Sequence, residues 1–197
     1  MVNVALAFAV LDVTGSVTDV GFVFAAFTLP LVGFLLVGGV FADRFQQRGV
    51  MVASDLVCFA SQGLVAVLLV SGHARLWELV VLQAVRGAAR AFFMPASTAL
   101  TPLTVGAELL QEANALRGLS MAVGSVIGPA VSGAVVAAAG SGWAIGFDSF
   151  SYAVSAVFLV ALRLPRAATW FVVAPFLVLA IPSVRHLRDG MSPYNAV

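Results

Sequence analysis

The sequence predicts an all-α integral membrane protein, a bundle of six transmembrane helices whose first member is truncated, and three observations carry that expectation. The chain is 61% hydrophobic and only 10% charged, with mean hydropathy +1.07. A soluble domain of that composition would have almost nothing with which to cover its surface. The charges are gathered into short islands, and the apolar runs between them are long enough, at roughly 20 residues, to cross a bilayer. Arginine is also distributed unevenly: alternate loops hold Arg44, Arg48, Arg163 and Arg166, whereas the loops on the other side hold only Arg75. That bias places the arginine-rich loops in the cytoplasm.

Met1 to Leu11 is apolar but about half the length of a span, so it reads as the outer part of a first helix. A secretory signal would bring a basic leader and a cleavage site, and this stretch has neither. Asp12 to Asp19, enclosing Thr14-Gly15-Ser16, is expected as an outer turn. Val20 to Ala42 is uncharged and reads as helix two, with Pro30 in mid-span expected to bend it.

Gly38 to Met51 follows as a polar island between two apolar runs, which makes it a membrane-surface loop. Asp43 falls at the C-terminal end of helix two, where the macrodipole disfavours a negative charge, so its carboxylate needs a partner. Arg44, Arg48 and the N-terminus of another helix are the candidates. Gly38 and Gly39 remove side chains where a second helix can come close.

Helix three is expected from Gly49 to Gly72, with Asp55 and Gln62 on one face. His73 to Glu78 reads as an outer loop in which His73 is solvated and Trp77 sits at the interface. Helix four is expected from Leu76 to Met94, and Gln83, Arg86, Gly87 and Arg90 share a face by their spacing. Pro95 to Ala107 is expected as a cytoplasmic stretch, after which Glu108 and Glu112 open the next helix, where acids favour the N-terminus. Gly118 to Phe147 is uncharged and too long for one span. The Ala139-Gly140-Ser141-Gly142 turn divides it into helix five, Leu110 to Ala138, and helix six, Trp143 to Leu162. Arg163 and Arg166 close the bundle.

Ionisable residues inside spans are costly and mark pathways by default. Arg86 lies near the middle of helix four, where it either lines a cavity or forms a structural salt bridge. Asp55 and Arg90 lie at similar depth on consecutive helices and are expected to form a structural ion pair. Asp148 heads a polar stripe with Ser151, Tyr152 and Ser155; it either exchanges protons or occupies a helix N-terminus that favours acids. Gln83, Arg86, Asp148 and Tyr152 are therefore the candidates for a substrate and proton pathway. On helix five, Gly124, Gly128 and Ser132 form a stripe for close packing beside Gly133, while Pro129 removes a backbone bond and allows bending.

Several classes find no support. The net charge of +1 gives no reason to expect a nucleic-acid partner. Cys58 is alone, so neither an internal disulfide nor a cysteine-based metal site can form. There is no His-rich cluster, paired intramembrane aspartates or Ser/His arrangement, so no catalytic set, metal or cofactor is expected.

Gly39-Val-Phe-Ala-Asp43-Arg44-Phe45-x-x-Arg48 resembles the signature that the major facilitator superfamily carries between helices two and three. Gln46 and Gln47 stand where that family usually has Gly and a basic residue. Gly118 with Gly124-x-x-x-Gly128-Pro129-x-x-Ser132-Gly133 resembles the fifth-helix motif of the superfamily's antiporters. Val50-Met-Val-Ala-Ser-Asp55-Leu, Ala91-Phe-Phe-Met-Pro95-Ala and Gln111-Glu-Ala-Asn114-Ala-Leu narrow the likeness to the enterobactin-exporter and macrolide-efflux branch.

The resemblance implies a six-helix N-terminal half over residues 1–166, one of two halves that open a midplane cavity alternately to either side. It implies proton-driven export of a small amphipathic molecule, drug-like or siderophore-like, across the plasma membrane. Gly39, Asp43, Arg44 and Arg48 would form a cytoplasmic gating loop. Membrane lipid, substrate, protons, and either a missing C-terminal half or a second copy would be the partners. Residues 167–197 hold Ala167 to Val184, marginal as a seventh span with Pro175 and Pro182, and then an amphipathic inter-half linker or aberrant tail. The chain is thus expected to be a fragment; a homodimeric half-transporter and a non-transporting membrane interaction protein are the alternatives.

Overall fold

The computed structural model describes the backbone of residues 2–44, 47–104 and 107–161, and the side chains of 2–35, 47–100 and 108–161. Among the described residues the chain runs α1 (Val2–Thr14), α2 (Val17–Arg44), α3 (Gln47–Val70), α4 (Leu76–Thr104), a single 3₁₀ turn (Ala107–Leu109), α5 (Leu110–Ala139) and α6 (Ser141–Ala161). All but α1 are long and apolar enough to cross a membrane. Helix is the form such runs must take, because lipid offers no partner for a backbone N–H or C=O. This is a multi-pass membrane protein.

Local chemistry sets the helix ends. At the end of α3 the Gly72 N–H donates to the Leu69 carbonyl at 3.2 Å and the His73 N–H to Leu68 at 3.0 Å. That paired return is a Schellman motif, and it needs the positive φ of 71° that glycine adopts without strain. Gly140, at φ 92°, ends α5 alone and donates to Val136 at 2.9 Å. At the start of α2, Ser16 caps the helix by accepting from the Asp19 N–H at 3.4 Å. The start of α4 uses the opposite half of a capping box: Glu78 Oε2 accepts from the Arg75 N–H at 3.0 Å.

Several boundaries differ from expectation. The polar island of residues 38–51 is not a loop along its length: residues 38–44 close α2 and Gln47 opens α3. Asp12 ends up inside α1 and Asp19 inside the first turn of α2, because Gly15 and Ser16 suffice to reverse the chain. Helix four does not stop at Met94 but continues through Pro95 to Thr104. A proline removes one hydrogen bond, here to the Ala91 carbonyl, and a packed membrane helix tolerates that loss. Helix four starts at Leu76 as expected, so Trp77 and Glu78 belong to it and not to the outer loop. Finally, α6 starts at Ser141, two residues before Trp143, so Asp148 lies two turns inside the helix, beyond the reach of the N-terminal dipole.

The packing follows small residues. On α1, Val2, Ala5, Leu6, Ala9 and Val10 form one buried stripe that meets Val23, Val65, Ala66, Leu79, Ala144 and Ile145 in a single apolar core. The most extensive packing is between α2 and α4, between α3 and α6, and between α3 and α4. The α3–α6 crossing is close because Gly142 and Gly146 face α3: a Cβ at 142 would stand 2.9 Å from Val70 Cγ2. Ser149 Oγ adds a hydrogen bond to the Phe59 carbonyl at 2.9 Å. The outer faces carry Phe22, Leu29, Val67, Val126, Phe150 and Phe158, each more than half exposed, which is the surface lipid requires.

Arg163, Arg166 and the whole 167–197 segment lie outside the described residues. So do the side chains of Gly39, Asp43 and Arg44, whose backbone belongs to α2.

A buried polar cluster where three helices meet

The face of α4 that carries Gln83, Arg86 and Gly87 turns inward. Gln83 and, across the interface on α3, Gln62 are fully buried, and Arg86 is 8% exposed. Placing a guanidinium near the middle of a span costs at least ~2.5 kcal/mol on insertion scales unless it is surrounded by partners. Arg86 has them. Its Nη1 donates to Gln83 Oε1 at 3.1 Å and its Nη2 to the Tyr152 hydroxyl of α6 at 3.3 Å. The Gln62 amide reaches the same Gln83 oxygen at 3.4 Å. From α2, the Phe27 ring lies under the guanidinium, 4.8 Å from its carbon to the ring centroid.

The cluster holds more hydrogen-bonding capacity than its members use. Gln62 Oε1, Gln83 Nε2, Arg86 Nε and Asp148 Oδ2 are buried and have no partner among the described residues. Two are donors and two are acceptors. Leaving such a group unpaired costs about 1–3 kcal/mol each, so four in one cluster call for further partners, ordered water among the candidates. Asp148 sits one turn from Tyr152 on the same face of α6. Together the set offers a cation, a carboxylate, a phenol and two carboxamides inside an apolar bundle.

Three of the four pathway candidates, Gln83, Arg86 and Tyr152, are thus joined directly by hydrogen bonds, and Asp148 stands beside them. The expected Asp55–Arg90 ion pair is not formed among the described residues. Asp55, 1% exposed, instead accepts from Ser155 Oγ of α6 at 2.6 Å, while Arg90 lies over the Phe93 ring at 5.0 Å. Similar depth puts the two charges on neighbouring helices, but the direct partner of the carboxylate is the Ser155 hydroxyl. Of the helix-five motif, Gly128 and Ser132 are buried, whereas Gly124 and Pro129 are exposed and a Cβ at 124 or 133 would meet nothing within 4 Å.

Of the loop residues, Arg48 is the one whose side chain is described. It opens α3, and its Nη2 donates to the Val160 carbonyl in the last turn of α6. A cation at a helix C-terminus satisfies an orphan carbonyl and complements the dipole. Phe27 was not legible as a site residue: it is one of 15 phenylalanines, and no local signal separates it from those that face lipid.

Residues 1–175 match the family described as transmembrane secretion effector. Macrolide efflux protein A of Streptococcus pyogenes is 22% identical over 166 residues, covering 84% of this chain and 41% of that protein. Enterobactin exporter EntS of Salmonella paratyphi A is 30% identical over 132 residues, 67% of this chain and 31% of that protein. The same exporter from Shigella boydii is 34% identical over 115 residues, 57% of this chain and 27% of its own length. The chain therefore spans less than half the length of these curated relatives, all of them transporters. No solved structure matches it. The span pattern, the buried intramembrane cluster and the family match agree: this chain belongs to the transmembrane secretion effector family of the major facilitator superfamily.

Proposed function

We propose that this chain forms one half of an exporter that moves a small amphipathic molecule out of the cell by alternating access, driven by the proton gradient. The observation that carries the reading is the cluster of Gln62, Gln83, Arg86, Tyr152 and Asp148, with four unpartnered polar atoms buried at mid-span. Substrate takes up the unused donors and acceptors, and Asp148 is the group that exchanges protons. The other wall of the cavity comes from a second six-helix half or a second copy of the chain. The relatives named for macrolide efflux and enterobactin export support a substrate that is amphipathic and drug-like or siderophore-like.

In this reading Gly39, Asp43, Arg44 and Arg48 form the cytoplasmic gate of a plasma-membrane protein, and Arg48 ties the start of α3 to the end of α6. Gating by the loop is tested with Asp43→Asn, which keeps the shape and removes the charge. Co-expressed with the C-terminal half of a close relative in cells lacking their own exporters, the wild-type chain should give ethidium efflux that collapses with the proton gradient. Asp43→Asn should be expressed normally and lose that efflux. Normal export by the variant would reduce the loop to a topology signal, and gradient-independent export by the wild type would remove proton coupling.

A further inference from the structure

The guanidinium of Arg86 is held from three directions. Gln83, one turn back on α4, and Tyr152 on α6 each take one of its N–H groups. Phe27 on α2 takes none, since a ring face attracts the whole cation without occupying a donor. It therefore fixes the guanidinium from behind and leaves Nε unpartnered. A leucine of similar bulk would fill the space and supply no such attraction.

Why the ring stands there is explained by the next residue along α4. A Cβ at position 87 would overlap the Phe27 carbonyl group, lying 2.9 Å from its carbon, and would stand 3.2 Å from Phe27 Cα. Only because position 87 is glycine can the α2 backbone press against α4 beside Arg86. The contact is backbone on helix, so it sets the register of the ring over the cation with little room to slide.

We propose that Phe27, seated by Gly87, is a positioning residue that aims the Arg86 guanidinium at the open part of the polar cluster. The aiming itself follows from the geometry; its consequence for transport rests on the reading of the cluster as the substrate site. The two parts can be measured separately.

The chain has two tyrosines, Tyr152 and Tyr194, so in a Tyr194→Phe background fluorotyrosine reports Tyr152 alone. Fluorine NMR of the purified chain in micelles should show Phe27→Leu moving the Tyr152 resonance in the same direction as Arg86→Gln does. Phe27→Trp, which restores a ring face, should return it towards the wild-type position, and Phe22→Leu on the lipid-facing side of α2 should leave it in place. A wild-type resonance in Phe27→Leu overturns the proposal, as does an equal displacement by Leu and Trp, which would make volume the only variable. In the co-expressed exporter, Phe27→Leu should raise the KM for an anionic amphipathic dye about tenfold with the maximal rate kept, and Trp should restore it. A displaced resonance with unchanged KM would uphold the positioning and remove the cluster from the substrate path.

Discussion

Exchanging Arg86 for glutamine should reduce export by about ten- to a hundredfold. The guanidinium makes two charge-assisted hydrogen bonds, to Gln83 Oε1 and the Tyr152 hydroxyl, and bonds of that kind are worth roughly 1.5–3 kcal/mol apiece. Those two bonds hold the guanidinium while its Nε–H stays unpartnered, and one charge-assisted bond of that strength from Nε to substrate corresponds to about one to two decades of affinity. A purely structural arginine predicts a different pattern. Removing one member of a buried charge network costs about 3–5 kcal/mol, because the remaining charge is left uncompensated. Here that charge is Asp148. The double variant Arg86→Gln/Asp148→Asn removes both, so it should recover much of the folded yield while export stays lost. Recovery of folding and export together would make the pair structural.

Gly87→Leu should leave almost no folded chain, and Gly87→Ala should be markedly destabilised. Even a single methyl at 87 collides with the backbone of Phe27, and backbone inside a packed helix pair cannot swing away as a side chain can. Overpacking of this kind typically costs about 1–3 kcal/mol when side chains absorb it, and the alanine variant should sit at or above the top of that range. The larger variant forces α2 off α4 altogether, exposing Gln83 and Arg86 to lipid. Thermal unfolding in detergent, read by loss of the monodisperse peak, gives the order wild type, Ala, Leu. Gly124→Ala is the contrast, since nothing lies within 4 Å of its added methyl, and it should match the wild type. Equal stability of Gly87→Ala and Gly124→Ala would mean that α2 and α4 do not meet at this point.

Helix count and most helix ends could be read from the sequence because polar islands and glycines punctuate a membrane chain strongly. Pro95 misled because a proline stops a soluble helix more readily than one packed among neighbours in lipid. On α4 the 3.6-residue period was enough to put Gln83, Arg86 and Gly87 on one face; that this face is buried against α2, α3 and α6 within the chain is a matter of packing. What periodicity cannot give is the partner across the interface. The Asp55 carboxylate accepts from Ser155 of α6, a partner across a helix interface that no single-helix pattern contains. Phe27 was invisible for the same reason: its role depends on the glycine of another helix.

A substrate site between α3, α4 and α6 must be reached by water and covered by its ligand. Ser151 is exposed, and its hydroxyl donates to the Asp148 backbone carbonyl at 2.6 Å; Cys58 is the chain's sole cysteine, so Ser151→Cys in a Cys58→Ala background places one thiol at the edge of the cluster. In membranes holding the co-expressed exporter, a water-soluble maleimide should modify that thiol, and ethidium should slow the modification. A thiol that reacts only after the protein is denatured, or at one rate with and without ethidium, would mean that substrate does not occupy the cluster.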